Sequence, residues 1–139
     1  MAVAVGLTVT VLSGCSKDPY DAYCGTVKEH QQELTRAVDE HGLLAGLGTF
    51  EEFQVKAPED IREDWRTVVD ALNGLRTALD DAGIDSGSYD PAHPPAGLGK
   101  AEQERITAAA DRLASQPTKD ALQAVEQQAR DVCHTPLTL

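Results

Sequence analysis

Aromatic side chains are scarce in this chain: two Phe, three Tyr and one Trp among 139 residues. A core that must rest on Leu, Val and Ala favours helices over a sheet. Positive charge is also short, with 12 Lys and Arg against 23 Asp and Glu and a formal charge of −11. So acidic a surface repels phosphate backbones, which excludes nucleic acid as a partner. It repels anionic headgroups too, so no basic face can hold the protein at a membrane. No apolar run reaches the roughly 18 residues of a membrane-spanning helix. A phosphate loop, a dinucleotide fingerprint and a metalloprotease helix are all missing. Cysteine is limited to three residues. None stands in a C-x-x-C or C-x-x-C-H pattern, which argues against zinc ribbons and haem attachment.

What is present begins at the N-terminus. Residues 2–12 (AVAVGLTVTVL) carry no charge and are too short to span about 30 Å of hydrocarbon. They have the form of the apolar region of a secretory signal. Leu12-Ser13-Gly14-Cys15 follows and resembles the bacterial lipobox at all four positions. The Cys15 thiol would accept a diacylglyceryl group, and the small residues before it would admit a signal peptidase to the Gly14–Cys15 bond. The chain thus reads as a signal peptide over 1–14, a lipidated tether over 15–19 and a helical domain over 20–139. No Lys or Arg precedes Lys17, which leads to the expectation that the true start lies upstream of Met1. The tether reaches on the order of 15 Å, so the domain is expected close to the outer face of the cytoplasmic membrane.

Apolar periodicity predicts the helices. Tyr20, Tyr23, Val27, Leu34, Val38 and His41 form one stripe of a first helix that ends at Gly42. Thr49 and Glu52 read as a capping box for a short element, with Phe50, Phe53 and Val55 behind it. Pro58 suits a first helical position, and Ile61, Trp65, Val68, Leu72, Leu75 and Leu79 make the strongest stripe of the chain, closed by Gly83. Trp65 is therefore expected at the centre of the core. Residues 83–98 are turn-rich. A fourth helix starts after Gly99 with Ile106, Ala109, Ala110 and Leu113 inward. A break at Ser115–Thr118 precedes a fifth, reaching to Cys133, with Leu122, Val125, Ala129 and Val132 inward. This pattern predicts an all-α fold: an antiparallel up-down four-helix bundle with residues 43–56 as a short cap on one end.

With Cys15 assigned to the lipid signal, Cys24 and Cys133 remain as a disulfide pair in a compartment that permits one. It would close a loop of about 110 residues, worth on the order of 4–5 kcal/mol in the chain-entropy model. Other chemistry is thin. His30 and His41 lie about 16 Å apart on one helix, too far to share a metal. His93 and His134 fall in irregular or terminal segments. Asp81, Asp85, Ser86, Ser88 and Asp90 lack the spacing of a calcium loop. Ser86 or Ser88 with His93 and Asp90 lacks the rigid frame of a catalytic triad. The expectation is no catalytic residue, no metal and no cofactor.

The lipobox, Tyr23-Cys24, the run Lys56-Ala57-Pro58-Glu59-Asp60-Ile61 ending at Trp65, the Pro94-Pro95-Ala96-Gly97-Leu98 loop and Asp131-Val132-Cys133 together resemble a family of small secreted lipoproteins of actinobacteria. The resemblance covers most of the chain after the signal. It implies location and little mechanism, because that family has no assigned activity. The functional expectation is a monomeric, non-catalytic envelope lipoprotein, held to the membrane through its anchor at Cys15 and acting on an envelope protein partner. The alternative is a carrier of a small apolar ligand in the bundle core. In an up-down bundle the Cys24 end faces the membrane together with residues 83–98. Leu43, Leu44, Leu47, Phe50 and Phe53 then stand at the outer tip as candidate contact residues.

Overall fold

The computed structural model describes residues 18–90 and 92–139. The segment expected to be a signal, with Gly14 and Cys15, lies outside the described residues. Those described form five α-helices and no strand: α1 (Pro19–His41), α2 (Leu47–Lys56), α3 (Glu59–Asp81), α4 (Lys100–Leu113) and α5 (Gln116–Asp131), with a 3₁₀ turn over Leu43–Gly46. The fold is all-α, as the periodicity predicts.

Local chemistry explains most of the helix ends. Asp18 caps α1 by accepting the Tyr20 amide at 2.9 Å, and Pro19 opens the helix with its φ already set. At the end of α3, Gly83 takes φ 69°. That left-handed turn lets the Gly83 amide reach the Asp80 carbonyl and the Ile84 amide reach the Leu79 carbonyl. Ile84 then packs back on Leu75 and Leu79. The Gly99 amide donates to the Glu102 carboxylate at 2.8 Å, which fixes the start of α4. The Asn73-Gly74 pair stays helical inside α3, as its uninterrupted stripe requires.

The core sits on Trp65, which is fully buried. Phe50 stacks on it at 5.7 Å between ring centres. Phe53 meets it edge-on at 5.3 Å, the other arrangement that aromatic quadrupoles favour. Its indole N–H donates to the Tyr23 hydroxyl at 2.8 Å. Val27, Leu34, Val68, Leu72, Val125 and Ala129 close the shell. Four of the six aromatic residues, Tyr23, Phe50, Phe53 and Trp65, thus meet at one point between α1, α2 and α3.

Residues 43–56 do not cap the bundle, and this expectation is corrected. Leu47, Phe50 and Phe53 are buried core, and α2 packs along both α1 and α3. The Thr49–Glu52 capping box does not form, because the helix already begins at Leu47. Glu52 turns instead to Lys56 at 2.7 Å and His30 at 3.3 Å, and the Lys56 ammonium reaches Thr26 Oγ1 at 3.0 Å. Val55, expected inward, is 81 % exposed, as is Val132 to a lesser degree.

The sense of α3 also differs from the up-down expectation. The Tyr20 hydroxyl donates to Asp60 at 3.1 Å, so α1 and α3 start side by side. At their other ends Leu44, just past α1, packs with Leu75 and Leu79 of α3. The long helix runs in the same sense as α1, and α2 is the return leg between them. Residues 83–90 and 92–98 consequently lie at the end remote from Cys24, where Ser86 and Tyr89 line one groove with His41–Leu44. Residues 43–56 come nearer the Cys24 end, reversing the expected order. α4 and α5 both pack chiefly on α3. The Ser115–Thr118 break shrinks to Ala114 and Ser115, tied by the buried Thr118 hydroxyl, which donates to the Arg112 carbonyl at 2.9 Å.

Candidate functional site

Cys24 and Cys133 are joined, with Cα atoms 4.9 Å apart. Cys24 stands in the second turn of α1 and Cys133 just beyond α5, so the bridge fastens the start of the helical domain to its end. The C-terminal tail folds back over the same region: the Gln31 amide donates to the Pro136 carbonyl at 2.9 Å, and the Leu139 amide to Glu126 at 2.8 Å.

The polar residues considered for chemistry are dispersed. His30 faces Glu52 and Phe53, whereas His41 lies beside Glu40 at 3.7 Å. His93 Nδ1 meets Asp90 Oδ2 at 2.8 Å. That contact holds the Asp90 carboxyl below its ordinary range. Both side chains are exposed. The Ser88 hydroxyl donates to the Asp85 carbonyl and not to His93. Asp85 and Asp90 accept backbone amides two residues on, which makes them turn formers. His134 is exposed beside the bridge, with φ 53°. Among the described residues, no group of three His, Cys, Asp or Glu could hold a metal ion, and no helix is long and apolar enough to cross a membrane. The Glu52 carboxyl is held low by its hydrogen bond from Lys56, and burial pushes the Asp64 carboxyl up.

One concave surface stands apart. An open groove of about 420 Å³ lies between the end of α1, the 3₁₀ turn, α3, the 83–98 loop and the α4–α5 junction. Leu43, Leu44, Leu75, Leu113 and Leu122 supply most of its walls, and Tyr89 and Ser86 come from the loop. His41 and Lys119 stand at its margin. Of the five contact residues expected from sequence, Leu43 and Leu44 are in this groove, and Leu47, Phe50 and Phe53 are in the core. Leu75, Leu113 and Leu122 carry no sequence signal for a surface, because each lies in a stripe that reads as core. Nothing in their own helices shows that Leu113 and Leu122 stay half-buried while Leu75 is covered.

Comparison with protein-family models, with curated proteins and with solved structures finds no match to this chain.

Proposed function

We propose that this chain is a non-catalytic lipoprotein of the bacterial envelope, cleaved before Cys15, anchored there to the outer face of the cytoplasmic membrane, and working as a monomer through the apolar groove. The observation that carries the binding role is where apolar surface remains. The interior is filled by Trp65, Phe50, Phe53 and Tyr23, and at the groove Leu43, Leu44, Leu113 and Leu122 stay only half-buried. A filled core beside a half-buried apolar groove favours contact with another molecule over an internal carrier site. On the tether reading, the Cys24 end is next to the membrane. His41 is then about 25 Å further out along α1, so the groove faces away from the bilayer. An envelope protein is the first occupant to consider. A small apolar ligand is the second. The groove's volume of about 420 Å³ favours it, because small-molecule sites take up roughly 300–1000 Å³. The resemblance to small actinobacterial lipoproteins supports the location.

Two measurements test this reading. A Cys15→Ser chain should stay unprocessed or be released to the medium. If it remains membrane-bound at the same mass, the anchor assignment fails. An envelope protein that co-purifies through the groove should be lost with Ala114→Trp, which fills the rim from an exposed position. Retention would place the contact elsewhere.

A further inference from the structure

We infer that the groove binds a free, single-chain amphiphile with one anionic head, such as a fatty carboxylate. The inference rests on the groove being the working surface and adds what occupies it.

Three observations point this way. The first is shape. The groove is a depression of about 420 Å³ lined by twelve residues. A stable protein interface takes roughly 20–30 residues a side, so a protein partner would have to reach well past it, whereas a small molecule would be held within it. The second is composition. Leu43, Leu44, Leu75, Leu113 and Leu122 offer aliphatic walls without a row of hydrogen-bonding groups, as suits an alkyl chain.

Charge is the third and decides the head group. The chain carries 23 acidic residues against 12 basic. Yet the ionisable side chains on the groove are His41, Tyr89 and Lys119, and no carboxylate lines it. His41 faces Glu40, but none of the ion pairs among the described residues engages Lys119. On so acidic a molecule, an apolar slot edged by an unengaged ammonium group is complementary to a carboxylate on an aliphatic tail. A cationic amphiphile would meet Lys119 as a like charge. The source is a free molecule and not the host bilayer, because the anchored orientation puts the groove at the far end of α1.

The experiment uses the whole chain with Cys15→Ser, so that it can be purified without detergent and any failure here is independent of the anchor. Dodecanoate, dodecanol and dodecyltrimethylammonium are titrated below their micelle concentrations by calorimetry. Dodecanoate should bind one to one, dodecanol more weakly and the ammonium compound weakest. Lys119→Glu should weaken dodecanoate about tenfold and leave dodecanol unchanged. Ala114→Trp, also at an exposed position, should abolish both. Absence of dodecanoate binding, equal binding of the anionic and cationic compounds, or binding that survives Ala114→Trp would each overturn the inference. A groove that rejects all three compounds yet still loses a co-purifying envelope protein with Ala114→Trp would leave the protein-contact reading standing alone.

Discussion

At the scale of single residues, Trp65 and Tyr23 form the most consequential pair. The indole is wholly enclosed and its N–H is satisfied only by the Tyr23 oxygen. Trp65→Ala should cost roughly 3–5 kcal/mol, read from urea or thermal denaturation, because the facing rings cannot collapse into the space. Tyr23→Phe keeps the volume but strands the indole donor, for a loss of about 1–3 kcal/mol. The same pair gives a pH signature. Burial pushes the Tyr23 hydroxyl up to about 12, against 10.0 for an ordinary tyrosine. The unfolded chain therefore releases this proton first. Tyr23's contribution is fully present below pH 10 and is lost as the pH rises from about 10 to about 12. Denaturation midpoints of the native chain should fall across that window more steeply than those of Tyr23→Phe. Parallel curves would show that Tyr23 ionises as freely in the folded state as in the unfolded one.

At the scale of elements, two glycines, one inside α3 and one where the 3₁₀ turn meets α2, should respond in opposite ways. A Cβ on Gly74 would meet nothing within 4 Å. Gly74→Ala should stabilise α3 by about 0.8–1 kcal/mol in thermal unfolding. A Cβ on Gly46 would lie 2.7 Å from Leu34 Cδ1 and 2.8 Å from Phe50 Cζ. Gly46→Ala should destabilise by about 1–3 kcal/mol, because both neighbours are packed core. The contrast also shows what a sequence can convey. The limits of α1 and α3 are readable to within one or two residues, since Gly42, Gly83 and a continuous stripe act locally. Pro58 stands one position further out than expected, being the cap and not the first helical residue. The role of 43–56 is not readable. Its glycines look like weak helix, and T-x-x-E looks like a start. What makes this segment a core wall is the close approach of Leu34 from α1 at Gly46, a tertiary contact that no local pattern records.

For the whole molecule, the disulfide is legible by elimination and the groove is not, because it exists only where remote segments meet. Its position at the tip also depends on the sense of α3, which periodicity leaves undetermined. The bridge itself spans 109 residues in sequence. Reduction, or Cys133→Ser, should lower stability by on the order of 4–5 kcal/mol in the chain-entropy model, measured as a shift in denaturant midpoint with and without dithiothreitol. An unchanged midpoint would mean that the bridge removes no net freedom from the unfolded chain. The same bridge imposes an order of events. On the proposed reading, export from the N-terminus would deliver Cys24 long before Cys133 follows. During that interval the thiol nearest to Cys24 is Cys15, a rival within easy reach of exchange. If Cys15 is acylated, as proposed, the rival is removed and Cys24 is left a single partner. On the anchored reading, attachment to the membrane is thus a step in correct oxidation. A chain blocked from acylation by Gly14→Asp should accumulate a Cys15–Cys24 fraction in non-reducing peptide maps. If only Cys24–Cys133 forms, the helices select the pairing unaided, and the timing of lipid attachment has no bearing on it.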